Sequence, residues 1–256
     1  MLFDSHAHYN DERFDRDREA VLDAMPENNV GYILNACAAL SEMDCILDIT
    51  KKYPFVYASV GVHPHEVENM TEADMDKILT YAKLDKVRAI GEIGLDYYYD
   101  NSPRDLQKHW FARQVDLARE TSLPVIIHDR DAHQDTMDIL RAHQIWDTGG
   151  IFHCYAGSVE MAREALDWGM YIAFGGTLTF KKSVRPIEVA RYVPLDRIVL
   201  ETDCPYLTPE PKRGQRNSSL FIHFVAEKLA QIKGIPVEEV ECVTCENAKH
   251  IFGIED

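Results

Sequence analysis

Eight short apolar runs rich in β-branched residues recur along the chain and alternate with segments of helical character. The runs are Leu2–Asp4, Val30–Asn35, Val56–Val62, Val87–Gly91, Pro124–Ile127, Gly150–Phe152, Met170–Phe174 and Ile198–Thr202. Alternating strands and helices indicate parallel pairing, because each helix returns the chain to the start of the next strand. Eight such units in 256 residues predict a single-domain (β/α)8 TIM barrel over residues 1–256, with its active site at the C-terminal ends of the strands.

Helical segments are predicted between the runs. They are Asp17–Met25, Met43–Tyr53, Ala73–Leu84, Pro103–Thr121, Thr136–His143, Val159–Trp168 and Pro186–Val193. The clearest has Ser102 as its expected N-cap and Pro103 in the first turn. A doubly wound sheet is the alternative fold, but the Gly-rich phosphate loop expected after its first strand is missing. The motif His6-Ala-His8 stands there instead.

Potential metal ligands follow the ends of five runs. His6 and His8 close the first run, and since residues i and i+2 of a strand share a face, we expect Asp4, His6 and His8 to face one interior. Further along, Glu92, His128, His153 and Asp203 each end another run. Mixed imidazole and carboxylate ligands suit Zn, Mn, Fe or Co, and also Mg when that ion keeps several waters.

This ligand set is too large for one tetrahedral ion and predicts two divalent metal ions (Mg, Mn or Zn). Two ions about 3.5–4 Å apart are typical of hydrolytic two-metal sites. We assign His6 and His8 to one ion and His128 and His153 to the other. Glu92 is expected to bridge them, and Asp203 completes the first ion or holds the attacking water. Asp203 and Glu92 are therefore the predicted catalytic residues, with Glu201 supporting the site from behind.

Other polar side chains near the strand ends are candidates for binding substrate. The predicted substrate contacts are His63, which follows the third strand, and the cations Arg130, Lys181 and Arg213, with Lys212 beside them. Arg213 is the preferred phosphate clamp because a guanidinium binds two oxygens at once. His65 is expected to be exposed. A terminal base is expected to stack on one of four tyrosines, Tyr97, Tyr98, Tyr99 or Tyr155.

Composition limits the classes of partner. The net charge of −16 argues against coating duplex DNA through a broad basic face, although it allows local phosphate contacts helped by metal ions. Six cysteines without dense disulfide spacing favour a reducing compartment. No leader-like segment or long apolar run is present, so a soluble cytoplasmic protein without a membrane partner is expected. The oligomeric state stays open, with a monomer plausible.

The motifs together resemble the TatD family of metal-dependent hydrolases, within the amidohydrolase-like barrels. They are Asp4-Ser-His-Ala-His8, Val62-His-Pro-His65, Gly91-Glu-Ile-Gly-Leu-Asp-Tyr97, Ile127-His-Asp-Arg-Asp131, His153-Cys-Tyr-Ala-Gly157, Thr179-Phe-Lys-Lys182 and Glu201-Thr-Asp-Cys-Pro205. The resemblance implies metal ligands at the six positions already named. It also implies a Mg- or Mn-dependent deoxyribonuclease, often a 3′→5′ exonuclease on single-stranded DNA ends, with a role in DNA repair. One segment departs from the family pattern, because Ser218-Ser219 follows Asn217 where Glu-Pro is common.

Two other functions stay open. The same two ions could polarise a carbonyl, which would make the chain an esterase or amidase such as an aminoacyl-tRNA deacylase. Amidohydrolase barrels often use a carbamylated lysine as the metal bridge, and the presence of Glu92 instead favours the phosphodiester substrate. A non-enzymatic metal scaffold is the third reading, and it is disfavoured because structural zinc sites are usually closed.

Overall fold

The computed structural model describes residues 1–255, and over this range eight parallel strands form one sheet in chain order. The predicted TIM barrel is confirmed. The strands are β1 Leu2–Ala7, β2 Val30–Asn35, β3 Val56–Val60, β4 Val87–Asp96, β5 Val125–Arg130, β6 Gly150–Phe152, β7 Tyr171–Phe174 and β8 Ile198–Leu200. A parallel bridge between Ala7 of β1 and Cys204, in the segment after β8, closes the barrel.

Nine α-helices surround the sheet within residues 1–255. They are α1 Arg18–Asp23, α2 Met43–Lys52, α3 Glu72–Tyr81, α4 Arg104–Thr121, α5 His133–Ala142, α6 Val159–Asp167, α7 Val184–Tyr192, α8 Ile222–Lys233 and α9 Val237–Phe252. The last two were not among the predicted segments. None of the helices in the described range is both long and apolar enough to cross a membrane.

The predicted N-cap of α4 was wrong by one residue. The helix begins at Arg104 with Pro103 as its N-cap. Ser102 is buried, and its hydroxyl donates to the carbonyl of His65 at 3.0 Å. Ser102 therefore ties the loop after β3 to the loop after β4, instead of satisfying the free N–H groups of the helix.

Strands β4 and β5 extend further than their apolar runs. Beyond Ile127 they stay paired through Gly94 with His128, Leu95 with Asp129 and Asp96 with Arg130. Gly94 has a φ of +147°, and a Cβ built there would lie 1.9 Å from the carbonyl oxygen of His128. Only glycine permits this approach. The extension keeps Glu92 and His128 inside paired strands, so both side chains rise from rigid backbone.

A buried apolar cluster fills the barrel below the strand ends. It includes Ile126 and Ile151, which precede His128 and His153 by two residues and therefore share their inward face. Phe252 and Ile254, at the end of α9 and just beyond it, join the same cluster. The upper end of the barrel is left to polar side chains, which form the candidate site.

Candidate metal centre

A cavity of about 700 Å³ opens at the C-terminal ends of the strands. Five of the six predicted ligands line it, and the sixth, His6, lies buried beside them. The lining ligands are His8, Glu92, His128, His153 and Asp203. The structure therefore brings together all six side chains that the strand-end pattern singled out.

Glu92 lies in the middle of this group and faces histidines on two sides. Its Oε2 is 3.2 Å from His6 Nε2 and 3.7 Å from His8 Nε2. Its Oε1 is 2.8 Å from His128 Nδ1 and 3.7 Å from His153 Nε2. Burial alone would raise the pKa of Glu92, but the surrounding histidines hold it well below its usual value. Glu92 is thus an ionised carboxylate with one oxygen toward each pair.

Asp203 closes the group from the β8 side. Its Oδ1 lies 3.4 Å from His8 Nε2, 3.8 Å from His6 Nε2 and 4.0 Å from His153 Nε2. Its side chain is 16% exposed, against 5% for Glu92. Burial by itself raises the pKa of Asp203, yet the hydrogen bond to His8 and the neighbouring histidines lower it overall. Asp203 is therefore the ionised carboxylate of this centre that water reaches most easily.

The donor set fits divalent cations. His6 Nε2 and His8 Nε2 lie only 3.0 Å apart, and ligand atoms of His6, His8 and Asp203 all lie within 4.8 Å of one another. The other ring nitrogen of His6, Nδ1, is buried without a hydrogen-bond partner in the described part of the chain. Two imidazole nitrogens that point at each other among carboxylates form a poor hydrogen bond. The same two nitrogens are well placed to bind one shared metal ion.

Three of the histidines are held by hydrogen bonds at the nitrogen that faces away from the centre. His8 Nδ1 contacts the carbonyl of Ala36 at 3.2 Å, His153 Nδ1 contacts Glu201 Oε2 at 2.9 Å, and His128 Nε2 contacts Asp96 Oδ2 at 3.1 Å. A carbonyl or carboxylate oxygen only accepts, so each of these nitrogens carries hydrogen. The opposite nitrogen faces the centre and can offer a lone pair to a metal ion once it has released any hydrogen of its own. The supporting position predicted for Glu201 agrees with its contact to His153.

His63 differs from these three rings because its Nδ1 accepts a hydrogen bond. The backbone N–H of His65 donates to His63 Nδ1 at 3.2 Å, so Nδ1 supplies the lone pair and the hydrogen of the neutral ring lies on Nε2. Burial lowers the pKa of His63 well below its usual value, which keeps the ring neutral. His63 Nε2 lies 3.6 Å from Glu92 Oε1. Although His63, Glu92 and His128 are close enough to hold an ion, this tautomer makes His63 a hydrogen-bond donor.

The expectation that His65 is exposed was wrong, because it is half-buried and bonded to Asp96, a carboxylate that the sequence reasoning missed. Asp96 Oδ2 receives His65 Nε2 at 2.9 Å as well as His128. Its Oδ1 accepts the backbone N–H groups of Tyr98 and Tyr99. Asp96 has the same strand parity as Glu92, and this would have revealed it had β4 been extended past Gly91.

The predicted substrate contacts fall into two groups. His63 and Arg130 line the cavity. Lys181 is exposed and does not line it, and neither does Arg213, whose guanidinium lies 4.0 Å from the ring centre of Phe180 and donates to the Thr208 carbonyl. Lys212 also lies outside it, near Phe221. Within residues 1–255, Arg130 is the only Lys or Arg side chain in the cavity wall.

The seam between β1 and the segment after β8 positions three of the ligands. Asp203 N–H donates to the carbonyl of His6 at 2.9 Å, and His8 N–H donates to that of Cys204 at 2.8 Å. Asp4 was expected to face the same interior as His6 and His8, but it does not line the cavity, and the β1 register shifts between Asp4 and Ala7. Its carboxylate is instead bound by the backbone N–H and hydroxyl of Thr202 and by the Ser219 hydroxyl.

Comparison with known proteins agrees with this geometry. The family model described as TatD related DNase matches residues 3–253. The chain belongs to the TatD family. It is 43% identical over 254 residues to the uncharacterized metal-dependent hydrolase YabD of Bacillus subtilis, with 99% of this chain and 100% of YabD covered. It is 28% identical over 259 residues to the 3′-5′ ssDNA/RNA exonuclease TatD of Salmonella typhimurium, with 99% of each covered.

The fold of a solved TatD homologue matches over the whole chain. The structure of YJJV from Escherichia coli K12 superposes with a TM-score of 0.93 at 28% identity, covering 99% of this chain and 98% of that one. The chain is therefore a TatD-family metal-dependent hydrolase, with histidine and carboxylate groups able to bind metal at its strand ends.

Proposed function

We propose that this TatD-family hydrolase is a divalent-metal-dependent phosphodiesterase, a deoxyribonuclease that removes nucleotides 3′→5′ from single-stranded DNA. The observation that carries the proposal is the position of Glu92, whose two oxygens face two separate sets of histidines. One bridging carboxylate between two sets of ligands is the arrangement that two-metal hydrolysis of phosphate esters needs. In this proposal His6, His8 and Asp203 hold one ion, and His128 and His153 hold the second.

The side chains around the two ions have separate roles. When bound, the ions supply positive charge for the attacked phosphate and for the attacking water. Asp203, ionised and partly exposed, orients that water and accepts its proton. His63 donates from Nε2 to a non-bridging phosphate oxygen, because its tautomer leaves that hydrogen directed into the cavity. Arg130 binds a phosphate oxygen at the cavity wall, and Lys181 and Arg213 contact phosphates further along the strand.

The substrate class rests on two supports. The Salmonella relative carries the name of a 3′-5′ ssDNA/RNA exonuclease, and Arg130 at the cavity wall gives a polyanion one local contact in an otherwise acidic chain. The proposal includes a role in DNA repair, which the family resemblance implies, and the cytoplasmic location expected from the sequence. It also takes Mg, Mn or Zn as the metal, since the ligands suit all three.

The test is a cleavage assay on metal-stripped protein. We expect 5′-labelled single-stranded DNA to give a shortening ladder after addition of Mg, Mn or Zn, and we expect His128→Ala and Asp203→Asn to abolish it. His143→Ala is the matched control, because His143 lies outside the cavity and bonds to Asp116. Absence of cleavage with every ion, in protein shown to bind metal, would contradict the proposal.

A second candidate is a carbonyl ester that carries an ammonium group, such as an aminoacyl-tRNA. Four carboxylates from the β1, β2 and β3 side line the cavity opposite Arg130, namely Asp11, Glu12, Glu42 and Glu66. They would attract a primary ammonium and repel further phosphates. Turnover of p-nitrophenyl acetate and aminoacyl-tRNA, without turnover of bis-p-nitrophenyl phosphate or DNA, would favour this candidate.

A further inference from the structure

Tyr99 and Arg130 form a mixed aromatic and cationic surface at one side of the metal centre. Arg130 ends β5, Tyr99 follows β4, and both line the cavity that holds the ligands. The Arg130 guanidinium lies 4.7 Å from the ring centre of Tyr99 and 4.2 Å from that of Tyr98. Tyr99 is 55% exposed, so a large part of this ring is open to solvent at the mouth of the cavity.

This surface is fixed relative to the metal ligands. Asp96 Oδ1 accepts the N–H of Tyr99 at 2.8 Å, while Oδ2 of the same carboxylate receives His128 and His65. The His65 ring also meets the Tyr99 ring edge-on, with ring centres 5.5 Å apart. One buried carboxylate thus sets the position of a metal ligand and of the exposed ring together, which holds a ligand stacked on Tyr99 at a constant distance from the reacting centre.

The charge of the cavity wall is uneven. Arg130 is the single Lys or Arg of the described residues that lines it, and carboxylates occupy the β1 to β3 side. A polyanion therefore enters with lowest electrostatic cost along the Arg130 side. A ring and a guanidinium side by side match the two parts of a nucleotide, because the base stacks on the ring and the phosphate pairs with the cation.

We propose that Tyr99 and Arg130 form the subsite for the nucleotide on the retained side of the scissile phosphate. Its base stacks on Tyr99 and its phosphate contacts Arg130. The inference rests on the proposed nuclease function and adds the reason for single-strand selectivity. A base inside a duplex already has both faces covered by its neighbours, so it reaches Tyr99 only after the end has frayed. Tyr99 is then a specificity-determining residue of the site.

The experiment compares two oligonucleotides that differ by one base. One is a normal single strand, and the other is abasic at the nucleotide just before the scissile bond. We expect Tyr99→Leu to lower kcat/KM for the normal strand by about 5- to 150-fold, the range for loss of one base–aromatic stack. We expect it to lower kcat/KM far less for the abasic strand. Tyr99→Phe should keep the wild-type difference in kcat/KM between the two strands, since phenylalanine keeps the aromatic ring.

A second tyrosine serves as the matched control. Tyr192 is also exposed and also contacts an arginine, Arg163, but it lies outside the cavity, so Tyr192→Leu should keep the wild-type ratio of the two strands. The subsite is refuted if the wild type degrades DNA but Tyr99→Leu lowers kcat/KM equally for both strands, or leaves kcat/KM unchanged for both. If the wild type degrades neither strand with metal bound, the failure belongs to the proposed nuclease function.

Discussion

Replacing Ser219 by alanine tests whether a buried hydrogen-bond chain holds the β1–β8 seam on which His6, His8 and Asp203 depend. The Ser219 hydroxyl donates to Asp4 Oδ2 at 2.6 Å and accepts from the Tyr9 hydroxyl at 2.8 Å. All three residues are buried, with Asp4, Tyr9 and Ser219 at 0% exposure. Ser219→Ala removes one donor from a buried carboxylate and the acceptor from a buried phenol.

The magnitude follows from these two bonds. A hydrogen bond to a charged group contributes about 1.5–3 kcal/mol and a neutral one about 0.5–1.5 kcal/mol. Water is excluded from the site, so neither partner recovers its bond from solvent. The expected loss is about 2–4 kcal/mol, which is a large fraction of the roughly 5–15 kcal/mol that stabilises a typical domain. The thermal midpoint should fall by about 5–15 °C for a chain of this size.

The loss should also depend on pH through Asp4. Burial raises the pKa of Asp4 from 3.8 to about 7, against the lowering effect of the bonds from Ser219 and Thr202. A raised folded-state pKa means that the stability contributed by this group is complete below about pH 4 and is lost as pH rises through 7. Without the Ser219 hydroxyl, the ionised carboxylate of Asp4 loses a hydrogen bond that stabilises its negative charge. The cost of Ser219→Ala should therefore be larger at pH 8.5 than at pH 5.5.

The assay is urea unfolding of chelator-treated protein at both pH values. Ser218→Ala is the matched control, because Ser218 is also buried and its backbone N–H bonds to Asn217, while the contacts to Asp4 and Tyr9 belong to Ser219. We expect the control to lose much less stability than Ser219→Ala at each pH. A loss below about 0.5 kcal/mol for Ser219→Ala, or a larger loss at the acidic pH, would refute the reasoning.

Three further predictions concern metal binding. Burial lowers the pKa of His128 and His153, but hydrogen bonds to Asp96 and Glu92 raise that of His128 to about 9, and Glu201 and Glu92 raise that of His153 to about 10. Both imidazoles must be neutral to bind metal, so at pH 7.5 binding should release about two protons and tighten as pH rises, measured by calorimetry in two buffers of different ionisation enthalpy. Glu201→Gln leaves one acceptor oxygen for two donors, the ring of His153 and the backbone N–H of Cys154. Metal affinity measured by calorimetry should therefore fall about 10- to 100-fold. The control Glu72→Gln alters a surface ion pair with Arg113 and should leave metal affinity unchanged. Mn at about 100 times its dissociation constant should stabilise the protein by about 2.7 kcal/mol, visible as a higher melting temperature that a chelator reverses.

The barrel and the convergence of the six side chains could be predicted because both follow from local patterns. Strand-helix alternation sets the topology, and parallel strands bring their C-terminal ends to one face. A residue such as His153 needs only its place after Ile151 and Phe152 for its location to follow. Glu92 at the centre is likewise a consequence of its position on β4.

The supporting roles of Asp96 and Ser219 could not be predicted because they depend on contacts between distant segments. Asp96 acts through a strand extension that Gly94 permits, and the apolar run had already ended at Gly91. Ser219 meets Asp4 across 215 positions of sequence, and no periodicity signals such a bond. The lengths of β4 and β5 are set by pairing with each other, which the sequence of either strand alone does not specify.

The histidines of the centre have the same side chain, and the hydrogen-bond partners around each ring decide whether it can bind a metal ion or a substrate. The Ala36 carbonyl, Asp96 and Glu201 each accept the outer N–H of one ring, which leaves the inner nitrogen as the one that can bind a metal ion. The backbone N–H of His65 does the reverse to His63, so the fourth ring faces inward with a hydrogen. A metal ion needs lone pairs and a phosphate oxygen needs donors. The hydrogen-bond partners behind the rings therefore distinguish the histidines that can bind metal from the one that can donate to a substrate. The spacing of histidines in the sequence does not reveal this difference.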